Sequence, residues 1–160
     1  MQDGVAVDGT VAQDGAQITT FWKIREGITL ALGKEGSVNK YDLSIPVPRL
    51  YDLVNIFREK LGDQATNVVG YGHLGDGNIH LNITSAVYSE KLMAQIEPFV
   101  YEWTAQHHGS ISAEHGLGVM KAPHLHYSKS PEAIALMKRI KALFDPNGIM
   151  NPYKFLPKNV

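Results

Sequence analysis

Apolar residues recur along this chain with two periods. From Ile18 to Leu32, Phe21, Ile24, Ile28 and Leu32 return at the spacing of one helix face, and Gly33 and Gly36 end the run. The stretch NKYDLSIPV, Asn39 to Val47, alternates Tyr41, Leu43, Ile45 and Val47 with polar neighbours, which predicts a strand with Pro46 at its edge or end. Pro48 then opens a helix with the stripe Leu50, Leu53, Val54, Phe57 and Leu61, stopped by Gly62. Asn67 to Thr84 reads as two strands about a Gly-Asp-Gly turn. Ser89 caps a helix running to about His107, with Leu92, Met93, Ile96, Val100 and Trp103 inward, and Pro98 kinks or splits it because an interior proline costs about 3 kcal/mol. A short strand follows at Ser110 to Ala113. The last helix, from the Ser130 cap and Pro131 to Phe144, uses Ile134, Met137, Ile140 and Leu143.

Taken in order, Asn39 to Ala113 is β-α-β-β-α-β, which predicts an α+β fold: a ferredoxin-like sandwich with an N-terminal and a C-terminal helix added. Residues 1–16 carry repeated Asp-Gly pairs and no apolar stripe, so they are read as an extended or turn lead-in to a domain covering 17–160.

Composition narrows the chemistry. The chain has 160 residues, one domain's worth, and no cysteine, which removes disulfides, thiolate metal sites and thiol nucleophiles. Any metal must be held by His, Asp or Glu. A net charge of -1 offers no field for phosphates, so no nucleic-acid partner is expected. No apolar run approaches the roughly 20 residues of a membrane span, and the acidic N-terminus is unlike a targeting peptide.

The segment GYGHLGDGNIHLN, Gly70 to Asn82, carries the strongest chemistry. If Asp76-Gly77 forms a two-residue turn, His73 lies opposite His80 and Tyr71 opposite Asn82 on one face, while Val68, Leu74, Ile79, Leu81 and Ile83 form the other. Opposed Cβ atoms stand about 4.5–5.5 Å apart, close enough for two imidazoles to converge on one ion. The same spacing also fits two solvent-facing histidines, and another loop length changes the register.

A third ligand is on offer in SISAEHGLGVMK, where Glu114 and His115 leave the short strand. Neighbours at a strand end point apart, so one can serve a metal while the other meets a substrate. A His₂Glu set with an open position is a recurrent catalytic zinc pattern, and manganese fits it too. Glu114 also reads as an ordinary turn carboxylate and His115 as a packing histidine. His107 and His108 suit a helix end, and His124 and His126 carry no assigned role.

These motifs, with FDPNGIMNPYKFLP near the C-terminus, resemble the C-terminal region of the flavin-linked D-2-hydroxy acid dehydrogenases, the FAD-linked oxidase C-terminal domain family. The resemblance runs from about Val5 to Pro157, and WKIREGI and NKYDLSIPV are most similar to the branch acting on D-2-hydroxyglutarate. It implies oxidation of that acid to 2-oxoglutarate, with FAD as hydride acceptor and zinc as the metal. It makes His73, His80 and Glu114 the zinc ligands and His115 a substrate contact and candidate general base. Arg25, Thr29 and Lys40 match substrate-carboxylate contacts, and Asn82 a polar contact beside the second zinc histidine. Asn151 in NPYK is implied to approach the flavin, although a turn after the last helix explains it equally well.

The resemblance further implies a mitochondrial matrix enzyme, a small dicarboxylic 2-hydroxy acid as substrate and an electron-transfer flavoprotein as acceptor. Because the family carries its FAD-binding domain upstream, the chain is read as the C-terminal part of such an enzyme and expected to be inactive without that domain. A D-lactate dehydrogenase of the same family, or a non-catalytic metal- or metabolite-binding fragment, is the alternative.

Overall fold

The computed structural model describes Gly4 and residues 7–157. The start of the expected lead-in (1–3 and 5–6) and the end of the expected domain (158–160) lie outside the described residues. The architecture is α+β: α1 (Gly15–Glu26), α2 (Ile28–Gly33), β1 (Ser37–Ser44), α3 (Asp52–Leu61), β2 (Asn67–His73), β3 (Asn78–Ser85), α4 (Glu90–Ile96), α5 (Phe99–Gln106) and α6 (Pro131–Phe144), joined by short 3-10 turns.

The strands are antiparallel neighbours in the order β1-β3-β2. Their period of two sends Tyr41, Leu43, Ile79, Leu81 and Ile83 to one face, each at most 4% exposed. These join Leu53, Val54 and Phe57 of α3, Leu92 and Ile96 of α4, and Val100 and Tyr101 of α5 in one core. Gly70 lets α3 approach β2: a Cβ there would stand 2.5 Å from Val54 Cγ2. Burial of the α3 stripe is nearly complete, with Leu53, Val54 and Phe57 at 0% exposure. The Ser89 hydroxyl accepts the Leu92 N–H at 3.2 Å, and the helix it opens is split at Pro98, as its sequence predicts.

Several expectations are corrected. The helix over 18–32 is two helices that meet at Gly27, where a side chain would press on Lys23 O at 2.8 Å. Its stripe is largely uncovered: α1 buries no residue, and Phe21 and Ile24 are 39% and 69% exposed. In α6, likewise, Ile134 is buried but Ile140 and Leu143 are 49% and 77% exposed. Helical periodicity reports that a helix can form, and says nothing of what covers it.

The strand expected at Ser110–Ala113 is a single bridge, Ser44 with Ser110. Beyond it the Ser110 hydroxyl turns back to Ser112 O at 2.9 Å, and the Asp42 side chain captures the N–H groups of Glu114 and His115. The segment therefore stays beside β1, with the Ala113 N–H on Asp42 O at 3.3 Å, but forms no continuous ladder, and among the described residues the sheet has three strands rather than four.

The hairpin register is also different. β2 and β3 pair His73 with Asn78, Gly72 with Ile79 and Tyr71 with His80, so the turn is the four residues Leu74 to Gly77. That loop is pinned from β1's exit, where the Ile45 N–H donates to Gly77 O at 3.0 Å. Gly77, at φ +73°, would place a Cβ 2.4 Å from Ile45 O. His73 is thus not opposite His80, Tyr71 is not opposite Asn82, and Leu74 sits 71% exposed in the loop instead of in the core. The slip is of two positions, an even number, so every strand side chain keeps its face.

Candidate functional site

The sheet face away from the core is polar and carries the chemistry. Alternation along β1 brings Lys40 and Asp42 to it, along β2 Tyr71 and His73, and along β3 Asn78, His80 and Asn82. The register sets Asp42 beside His80 and Lys40 beside Asn82. Although this face is polar, Asp42, Asn78, His80 and Asn82 are all buried.

The Glu114–His115 segment is fixed onto this face by one carboxylate. Asp42 Oδ2 accepts the backbone N–H of Glu114 and that of His115, each at 2.8 Å, and Asp42 Oδ1 accepts the Asn78 amide at 2.7 Å. Further along, Lys121 Nζ donates to Lys40 O at 3.0 Å and lies 5.0 Å from the Tyr41 ring centre, tying the same segment to β1.

Side chains then converge on Glu114. Its Oε1 lies 3.1 Å from His80 Nε2, 3.6 Å from His115 Nε2 and 3.8 Å from His73 Nε2. The His80 and His115 rings stack at 5.0 Å, and the His73 ring stands nearly perpendicular to His80 at 5.5 Å. Asp42, His80, Glu114 and His115 each offer a ligand atom within 4.8 Å of the others. This group contains Asp42 and His115 where the sequence-derived set has His73; the set His73, His80 and Glu114 shares the Glu114 oxygen as its meeting point.

The electrostatics suit a cation. Burial holds the His80 imidazole below its ordinary pKa despite Asp42 and Glu114, so the ring is neutral near pH 7 and able to ligate. Burial opposes the Asp42 charge, but the N–H groups of His115 and Glu114 and the Asn78 amide outweigh it and keep the carboxyl below the usual carboxylate range. His80 Nδ1 is buried without a hydrogen-bond partner, and its nearest polar neighbour is Asp42 Oδ1 at 3.6 Å. A neutral imidazole with an exposed-side nitrogen facing a carboxylate, beside a second imidazole, is a donor set for a divalent ion.

Helices α1 and α2 close the cavity from above. Arg25 Nη2 donates to Gly72 O at 3.2 Å with its guanidinium 5.3 Å from the Tyr71 ring centre, and the Thr29 hydroxyl hydrogen-bonds to the Tyr71 hydroxyl. Asn82 Nδ2 donates to His80 O at 3.2 Å. The cavity is about 300 Å³, and Arg25, Thr29, Lys40, His73, His80, Asn82, Glu114 and His115 all line it, with Glu26, Tyr41 and Tyr71. The eight residues expected to hold the metal or the acid are therefore brought to one place. Asn151 is not: it lines a separate cavity with Gly118 and Phe155. His107 stacks on Trp103 at 3.9 Å and is a packing residue.

Sequence reasoning missed Asp42 and Asn78. Alternation in NKYDLSIPV already put Asp42 on the face of Lys40, but nothing in one strand reveals that its carboxylate meets a loop 72 residues later.

The fold and this cavity describe a polar site lined by imidazoles, carboxylates and cations on an α+β domain. Residues 1–155 match the family described as FAD linked oxidases, C-terminal domain, and the chain belongs to that family. It is 62% identical over 160 residues to the mitochondrial D-2-hydroxyglutarate dehydrogenase of Arabidopsis thaliana, covering 100% of this chain and 28% of that protein. With the mitochondrial D-2-hydroxyglutarate dehydrogenase of Bos taurus it shares 57% identity over 157 residues, 98% of this chain and 29% of the other. A D-2-hydroxyglutarate–pyruvate transhydrogenase of Saccharomyces cerevisiae is 43% identical over 158 residues, 93% of this chain and 32% of the other. The chain thus spans less than a third of the length of these curated relatives.

Proposed function

We propose that this chain is the substrate- and metal-binding part of an FAD-dependent dehydrogenase that oxidises D-2-hydroxyglutarate to 2-oxoglutarate in the mitochondrial matrix, with an electron-transfer flavoprotein as acceptor. The observation that carries the reading is convergence: Arg25, Thr29, Lys40, His73, His80, Asn82, Glu114 and His115, from six different segments, line one cavity. In this reading residues 17–160 are one domain, and the β1-β3-β2 sheet with its Ser44–Ser110 bridge is a ferredoxin-like sandwich whose fourth strand is cut to one pair.

The roles follow from chemistry. His73, His80 and Glu114 hold a divalent ion, zinc in this proposal. Such an ion, when bound, lowers the pKa of an alcohol beside it as it does that of water. His115 Nε2, at the cavity wall, takes the C2 hydroxyl proton, because imidazole carries a nitrogen lone pair able to accept it and is the commonest general base among side chains. Arg25 offers a planar fork to the distal carboxylate, Thr29 supports it, and Lys40 adds a point charge. Asn82, held by His80 O, supplies an amide to the acid.

FAD accepts hydride in this class of oxidation. The cavity of about 300 Å³ is of a size for a five-carbon acid.

Two cations at one cavity favour a dicarboxylate over lactate. In the full-length protein, Arg25→Met is expected to raise KM for D-2-hydroxyglutarate about 10–100-fold, the effect of hydrogen bonds to a charged group worth roughly 1.5–3 kcal/mol. Rates on D-lactate should hold steady. Equal losses on both acids would overturn the role in distal-carboxylate binding, and a wild-type preference for D-lactate would overturn the substrate.

A further inference from the structure

We propose that Asp42 is the positioning carboxylate of the metal centre: it does not bind the ion but orients His80 through Nδ1 and anchors the Glu114–His115 backbone. The inference rests on the metal reading above and adds a residue and a role to it.

Imidazole's two nitrogens point in divergent directions, and here they face different carboxylates. His80 Nε2 faces Glu114 Oε1 at 3.1 Å, towards His73 and His115, whereas Nδ1 faces Asp42 Oδ1 at 3.6 Å. An ion on the Nε2 side is therefore on the far side of the ring from Asp42. The carboxylate is also already engaged, by the N–H groups of Glu114 and His115 on Oδ2 and by the Asn78 amide on Oδ1. It is 3% exposed, so these contacts are made away from bulk water.

His80 Nδ1, in contrast, is buried and unpartnered, and Asp42 is the group facing it. The 3.6 Å separation is a few tenths of an ångström beyond a normal N–H···O bond. With the proton on Nδ1, the ring donates to Asp42 and leaves Nε2 bare for the ion. Metal-binding histidines recurrently use such a carboxylate behind the ring, and losing one weakens metal binding about 10–100-fold. Asp42 has a second effect: the oxygen that takes both loop N–H groups also sets where Glu114 hangs. A ligand on β3 and a ligand on the loop are thereby registered by one side chain on β1.

Asp42→Asn tests this in the full-length protein. The two loop N–H groups claim the amide oxygen, and the NH₂ takes the place of Oδ1, where one hydrogen meets Asn78, whose side-chain amide flips to present its unpartnered Oδ1, and the other faces His80 Nδ1. The NH₂ donates there, moving the ring proton to Nε2, the atom that must be bare. Zn²⁺ titration against a chromophoric chelator should give affinity about 10–100-fold weaker than wild type, with unchanged far-ultraviolet circular dichroism. The visible absorption of the Co²⁺-loaded variant should keep its coordination number while changing in energy and intensity.

Unchanged Zn²⁺ affinity and Co²⁺ spectrum overturn the proposal. So does a loss as complete as that of His80→Ala with a changed coordination number, which would make Asp42 a ligand. Should the variant fail to fold, ¹⁵N chemical shifts of the Zn²⁺-loaded wild type decide: an Nδ1–H tautomer for His80 supports the proposal and an Nε2–H tautomer overturns it. Wild-type protein that takes up no ion overturns the metal reading itself, an outcome distinct from wild-type uptake that Asp42→Asn leaves untouched.

Discussion

The two faces of the same three strands serve opposite ends, yet along β3 and at Asp42 the polar face is buried almost as fully as the apolar one. On one face Leu43, Leu81 and Ile83 are 0% exposed; on the other Asn82 is 2%, Asp42 3% and His80 8% exposed. Burial alone therefore does not separate core from site. What separates them is satisfaction: the apolar face needs only shape, whereas each buried polar group needs a partner or costs free energy. Asp42 has three donors, and Thr84 has Glu35 and Asn67, but His80 Nδ1 has none. Among the described residues two buried side-chain atoms lack a hydrogen-bond partner, His80 Nδ1 and Asn78 Oδ1, and both lie on this face beside Asp42.

The neighbours Leu81 and His80 allow the sharpest break of this contrast. Leu81→Ala should cost about 2–5 kcal/mol of stability in denaturant unfolding, because it opens a cavity in the core. His80→Ala should cost about 1 kcal/mol and abolish bound metal, since its ring borders an open cavity and has an unmet nitrogen. If the two variants lost stability equally and both kept metal, the faces would not be functionally distinct.

A smaller effect tests the polar hub that the core face itself contains. Tyr41 and Tyr101 both donate to Glu97 Oε1 at 2.9 Å. Burial, with the Glu97 charge, pushes both phenols well above their ordinary value near 10. In the unfolded chain they ionise near pH 10 while the folded protein keeps its protons, so stability is full below about pH 10 and falls as pH rises above it. Urea melts from pH 9 to 11 should show that decline, and Tyr41→Phe should flatten it. A pH-independent midpoint across that range would contradict the hub.

The smallest effect is expected where neither face is involved. Ile24 on α1 is 69% exposed, so Ile24→Ser should change stability by no more than about 0.5 kcal/mol. A loss of several kcal/mol would mean that α1 is packed after all.

Local pattern accounted for α3 because a stripe such as Leu53, Val54, Phe57 and Leu61 can only be stable against something apolar, and the sheet supplied it. The same reasoning failed for α1, whose stripe of Phe21 and Ile24 is uncovered. Periodicity is a property of one element, and burial is a property of two. The hairpin illustrates the limit differently. Its turn was misread by two positions, because Ile45, distant in sequence, pins Gly77. The site survived that error since an even slip preserves the face.

From sequence alone, the residue types and their spacing decided that a metal here would rest on His, Asp or Glu and that His73 and His80 share a face. Those are consequences of absent cysteines and of a side-chain period of two. Only the tertiary structure decided that Asp42, hidden in an ordinary alternating strand, takes the backbone of Glu114 and His115 and faces the back of His80. A carboxylate's role depends on which donors reach it, and those donors come from chain segments that meet only once the sheet has formed.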